Sequence, residues 1–216
     1  QRVGQVRLSG KANFTYAHNT IIDNDQPDWK YPYLNRRGQM LWQQYGLVAA
    51  GLFESQADID SWPTQTFGEV KPGDIKYIDI NGDGKIDTND EKPIGWAAVP
   101  EIVYGFGLSA AWKGLDCSVF FQGAGHVTLQ QSGSAIQAFS ARNMMESGVY
   151  EDIYYNHWSE DNPNPNAKYP RLSIGSNKNN FRNSTFWQKD MSYLRLKTVE
   201  IGYNFPSKWI DPIHIS

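Results

Sequence analysis

Between Asp79 and Asp90 the chain places Asp79, Asn81, Asp83, Asp87 and Asp90 at positions 1, 3, 5, 9 and 12 of a twelve-residue loop, with Gly84 at position 6. Oxygen donors at that spacing, with glycine where the backbone must turn sharply, are the ligand order of a calcium loop. Lys85 at position 7 would contribute only its carbonyl, and Ile86 is the apolar peg that fixes the loop to its surroundings. Asp90 stands where a longer glutamate is customary, which shortens its reach as a bidentate ligand. Four carboxylates in twelve residues repel one another without a cation, so metal is expected to order the loop. The plainer account is an Asn/Gly/Asp turn cluster that holds no metal. A helix-loop-helix switch does not fit: Gly73 to Ile80 alternates like a strand, and Lys92-Pro93 blocks a following helix. The expected cofactor is therefore a structural Ca2+, held by Asp79, Asn81, Asp83, Lys85, Asp87 and Asp90 within a loop spanning residues 71–95.

A second chemical possibility is stacking of sugars on loop aromatics. Trp29, Tyr31, Trp62, Tyr154 and Trp158 are the candidates, beside Tyr33, Tyr155 and Trp187. Against this stands the ordinary use of aromatics as hydrophobic payload, which predicts packing within the loops. No catalytic set appears. His18, His126, His157 and His214 are scattered and read as surface or loop residues. Gly105-Phe-Gly107-Leu-Ser-Ala110 mimics a dinucleotide fingerprint but lies inside an alternating strand and opens no helix, so its glycines are read as small residues on a strand face.

The elements that must carry these residues follow a period of two. Val6, Leu8, Ala12, Phe14 and Tyr16 share one face, interrupted by Gly10, and Arg7, Ser9, Lys11, Asn13 and Thr15 share the other. The pattern returns at Tyr104 to Trp112 and at Leu115 to Gln122, with Lys113-Gly114 as the turn of a hairpin. It returns again at Val199 to Phe205, extending back towards Tyr193. Trp112 and Tyr203 near strand ends suit an interfacial belt. Alternation alone fits both a membrane barrel and the inner face of a soluble sandwich. Between the strands lie two long excursions, residues 19–68 and 133–189. The first is expected to hold a short helix near Glu54 to Ser61 with Ser55 and Asp58 as caps, and Ala135 to Tyr155 of the second to be partly helical. Excursions this long are unusual in a compact domain but suit the outer loops of a membrane barrel.

Composition narrows the classes. In 216 residues the net charge is −3 and no basic cluster occurs, which argues against nucleic acid. One cysteine, Cys117, excludes an internal disulfide framework and a thiolate zinc site, and is expected to act as a small hydrophobe. The 8 Trp, 12 Tyr and 10 Phe beside 19 Gly suit sugar-binding β-proteins or barrels with aromatic girdles. No run of about eighteen apolar residues suggests a membrane helix.

Several segments carry a family resemblance. Pro72-Gly-Asp-Ile-Lys-Tyr-Ile-Asp79 leading into the acidic loop and Pro93-Ile-Gly95 leaving it, Pro100-Glu-Ile-Val-Tyr-Gly-Phe106, Trp112-Lys-Gly-Leu-Asp116 and Phe120-Phe-Gln-Gly-Ala-Gly125 closely resemble the SusC/RagA family of TonB-linked outer-membrane transporters. So do Trp187 to Lys197, Val199 to Pro206, and Gly38 through Glu54. The resemblance implies an all-β fold: antiparallel strands of a large transmembrane β-barrel, here its C-terminal segment (residues 1–216), with long extracellular loops. It implies import of oligosaccharides or peptides across the outer membrane, a SusD-like surface lipoprotein as lid, outer-membrane lipid around the strands, and energy delivered through TonB. The plug, the TonB-contact segment and the strands after Ile215 are expected to lie outside this chain. The alternative is a soluble, calcium-stapled β-sandwich that grips a glycan.

Overall fold

The structure is a computed structural model, and it describes residues 2, 3, 5–139, 148–175 and 177–206. Four strands of eleven residues dominate: β1 (Val6–Tyr16), β2 (Ile102–Trp112), β3 (Leu115–Gly125) and β4 (Tyr193–Tyr203). With a short strand at Arg2–Val3 they form an antiparallel sheet whose spatial order follows the chain. Lys113 and Gly114 turn β2 into β3 with φ of 48° and 90°, the left-handed pair that a two-residue hairpin needs.

Register carries the sequence alternation across the whole sheet. Leu8 opposes Ala110, which opposes Cys117, which opposes Ile201; Gly10, Leu108, Val119 and Val199 form the next row. On the other face, Ser9, Ser109, Ser118 and Glu200 align, and Ser118 donates to the Glu200 carboxylate at 3.0 Å. The parity of β4 changes midway, because Phe120 opposes Thr198 while Phe121 opposes Leu196. The extra residue is a bulge, and it brings both Leu196 and Val199 onto the apolar face. On the polar face Phe120 lies across Gly105 and Gly107, where a Cβ would come within 2.7 and 2.8 Å of its ring. The small residues read from the sequence make room for that ring, and the Lys11 ammonium sits 4.8 Å from its centre.

The apolar face is uncovered: Phe14 is 68%, Leu108 67% and Ile201 77% exposed. A soluble sandwich would bury this face, so the sandwich alternative is not favoured. Cys117 is exposed on the same face, a small residue in the apolar row with Leu8, Ala110 and Ile201.

The described residues group into two compact units, the sheet with its strand ends and a second unit formed by Asn19–Ala98 and Thr128–Asp190. The long excursions thus have a core of their own, in which Leu47, Ile75, Tyr77 and Ile86 are fully buried and Trp158 and Trp187 nearly so. Short ladders tie it together: Ala49–Leu52 with Ile75–Tyr77, Tyr45–Gly46 with Lys92–Pro93, and Thr64–Gln65 with Lys85–Ile86. The expected first helix is α1 (Gln56–Asp60), whose Ser55 cap accepts from the Asp58 amide. In the second excursion α2 spans Glu151–Asn156, and residues 140–147 of the expected helical stretch lie outside the described residues. His214 and Ile215 also lie outside them.

Candidate functional site

The acidic loop is framed on three sides within its unit. The strand Ile75–Tyr77 leads into it, Lys85–Ile86 pairs in parallel with Thr64–Gln65, and Ile86 is fully buried as a peg. A 3-10 turn over Thr88–Asp90 closes it, and Tyr33 donates its hydroxyl to the Asn89 carbonyl at 2.5 Å.

Inside that frame the side-chain oxygens face the loop's own amides. Asp79 accepts from Gly82 N–H at 2.7 Å with Oδ1 and from Gly84 N–H at 2.9 Å with Oδ2. Asn81 accepts from Asp83 N–H, Asp83 from Lys85 N–H and Asp87 from Asn89 N–H, at 2.7–2.9 Å. Gly84 takes the left-handed φ of 82° that its position requires. The carboxylate repulsion anticipated from the sequence is offset by these N–H dipoles. Asn81 leaves its Nδ2 buried without a hydrogen-bond partner, so the loop fixes its orientation through Oδ1 alone. Among the described residues no three carboxylate, imidazole or thiol groups converge closely enough to hold a metal ion. The donor set is the hard oxygen that calcium takes, and Asp79, Asn81, Asp83 and Asp87 keep unused lone pairs.

The negative field of the loop reaches its neighbours. Burial pushes the Tyr33 hydroxyl up to about 12, reinforced by Asp90, Tyr31, Asp79 and Asp83. Exposed Lys30 is also raised, first by its contact with Tyr31 and to a smaller degree by Asp83.

The five aromatic candidates do not form one site. Trp158 is 4% exposed and packs against Gly73, where a Cβ would fall 2.2 Å from its ring; it is a core residue, a correction to its reading as a stacking platform. Trp62 donates its indole N–H to the Tyr77 carbonyl at 2.7 Å, with the Lys76 ammonium 3.9 Å above its ring. Tyr31 stacks on Tyr33 at 5.6 Å, Trp29 is 49% exposed, and Tyr154 packs edge-on against Tyr155 at 5.1 Å.

Two clusters escaped the sequence reading. Asp74, fully buried, accepts from Asn180 at 2.8 Å, Asn177 at 3.1 Å and the Lys71 amide at 2.8 Å, and pairs with Arg171. Glu101, 5% exposed and just ahead of β2, binds His18 Nδ1 at 2.6 Å with one oxygen and His126 Nδ1 at 3.0 Å with the other. Separations of 83 and 25 residues give no local signal for either contact.

No family model matches the chain. It is 31% identical over 164 residues to TonB-dependent receptor P26 of Formosa agariphila, covering 74% of this chain and 15% of that protein. It is 29% identical over 180 residues to TonB-dependent receptor P3 of the same organism, covering 81% and 16%. The chain therefore spans 15% and 16% of the length of these curated relatives. Among solved structures it is similar to the RagAB peptide transporter, with a TM-score of 0.66 at 18% identity over 98% of this chain and 22% of that one. It is also similar to the RagAB peptide importer in the open-open state, with a TM-score of 0.64 at 18% identity over 97% and 21%.

Proposed function

From a chain that resembles TonB-dependent receptors of the SusC/RagA type along most of its length, we propose that it is the C-terminal barrel portion of an outer-membrane importer. The observation that carries this reading is the uncovered apolar face of β1–β4. Strands of eleven residues match the nine to eleven that a tilted transmembrane strand needs. The opposite face, with Ser9, Lys11, Asn13, Ser109 and Glu200, suits a wet lumen.

In this reading the whole protein takes up oligosaccharides or peptides, is energised through TonB, and works with a SusD-like surface lipoprotein over its outer mouth. Likeness to the RagAB structures supports the two-component assembly. The two long excursions supply the loops that face substrate and lid, with Trp29, Tyr31 and Tyr154 as the accessible aromatics.

A pair of arginine substitutions in the full-length protein tests the reading. Leu108→Arg puts a charge into lipid, at a cost of about 2–4 kcal/mol near mid-bilayer, whereas Ser109→Arg points into the lumen and leaves assembly intact. Equal assembly of the two variants in the outer membrane would sink it.

We further propose that calcium draws Asp79, Asn81, Asp83, Asp87 and the Lys85 carbonyl, whose carboxylates do not converge in the structure, around one cation and so braces the loop. The cation would supply positive charge to carboxylates otherwise offset by amides alone. Calcium is expected to slow proteolysis within residues 79–90, and Asp83→Ala to abolish that protection. Identical cleavage in calcium and in chelator would remove the metal from the account.

A further inference from the structure

Asp90 is a buried carboxylate for which the ligand reading leaves little chemistry. It is fully buried, and both of its oxygens are engaged by backbone. Oδ1 accepts from Ile80 N–H at 2.8 Å and from Asn81 N–H at 3.2 Å, and Oδ2 accepts from Asp87 N–H at 2.8 Å. The last bond is half of a capping box, in which the Asp87 carboxylate caps the same 3-10 turn from the other end. A carboxylate offers about four lone-pair sites, two on each oxygen. Three are filled, and Oδ1 has none left. A bidentate bond to a cation, the usual contribution of the twelfth loop position, needs both oxygens.

We propose that Asp90 is a positioning residue, the loop's built-in substitute for a cation, and not a metal ligand. It gathers the amides of the entry (Ile80, Asn81) and of the exit (Asp87) onto one charge and so shapes residues 79–90 before any metal arrives. Ile86, buried beneath the loop, and the Tyr33 hydroxyl on Asn89 fasten the same frame from outside. Were calcium to bind, the ligands left for it would be Asp79, Asn81, Asp83, Asp87 and the Lys85 carbonyl, drawn together from positions that do not converge in the structure and completed by water. Loss of the bidentate position puts affinity in the weak, extracellular-module class of about 10⁻⁴–10⁻³ M. Only this affinity rests on the calcium reading; the shaping role does not.

Amide hydrogen exchange on the full-length protein, in chelator and in millimolar calcium, tests both parts. In chelator the amides of Ile80, Asn81 and Asp87 are expected to be protected in the wild type and in Asp83→Asn. Asp90→Asn has one oxygen where two are needed, so it loses at least tenfold protection at either Asp87 or the Ile80/Asn81 pair. Asp90→Glu restores the customary ligand of position 12 but has a stem too long for the three amides. It should loosen the same amides without tightening calcium binding. The proposal is overturned if the wild-type amides exchange freely in chelator and gain protection only with calcium, or if Asp90→Glu tightens calcium tenfold. Protection in chelator with no calcium binding at any concentration would retire the calcium reading and leave the role of Asp90 standing.

Discussion

At the scale of single residues, charge placement decides most outcomes. Burial raises the Glu101 carboxyl, but the hydrogen bonds from His18 and His126 outweigh it and hold the group below the ordinary glutamate range. A depressed folded-state value gives stability that is present above the unfolded-state value and is lost as pH falls through the folded one. Local opening at the ends of β1 and β2, read by exchange at Ala17, whose amide donates to the Glu101 carbonyl, should therefore increase below about pH 4. In Glu101→Gln that acid sensitivity should disappear; a profile unchanged by the substitution would contradict the assignment. Gly73 makes a steric prediction. Its φ of 83° and the Trp158 ring against it leave no room for a methyl group. Gly73→Ala should destabilise the second unit by about 3 kcal/mol, combining left-handed strain with overpacking, and a thermal melt reads it. The metal-order spacing of residues 79–90 was legible in the sequence. The amide partners of those carboxylates were not, because spacing says which side chains can converge and not what they converge on.

At the scale of elements, the long strands were readable because each keeps one apolar and one polar face through eleven residues. Val6–Tyr16 was found with its expected bounds. Even the bulge leaves a trace in sequence: Leu194 and Leu196 alternate on even numbers, whereas Val199, Ile201 and Tyr203 alternate on odd ones. Deleting Lys197 should remove the bulge and leave a regular ladder that keeps Leu194, Leu196, Val199 and Ile201 on the apolar face. Normal assembly of the Lys197 deletion, against reduced assembly when Lys197 and Thr198 are both deleted and Leu194 and Leu196 turn to the polar face, checks this. The second unit was less legible. Its ladders are two to four residues long, and its core is threaded by the side-chain amides of Gln65, Asn179 and Asn180. Polar residues at such positions read as loop, so a sequence pattern based on hydrophobic period misses a core they help to build. Trp158 follows the packing alternative, and its neighbour Gly73 is 85 residues away in the chain, which gives no local signal for the contact.

At the scale of the whole molecule, the chain spans 15% and 16% of the length of its curated relatives. The chain supplies a sheet with an exposed apolar face and two excursions folded into a unit with its own core. The importer account stands or falls on which environment touches that face. Spin labels placed singly at 108, 199 and 201 on one face, and at 109, 118 and 200 on the other, can be read by power saturation in the full-length protein reconstituted in a bilayer. The account predicts high oxygen accessibility, with little contact to a water-soluble relaxer, at 108, 199 and 201, and low oxygen accessibility at 109, 118 and 200. Loss of that alternation, or a face at 108, 199 and 201 that the water-soluble relaxer reaches, would contradict it.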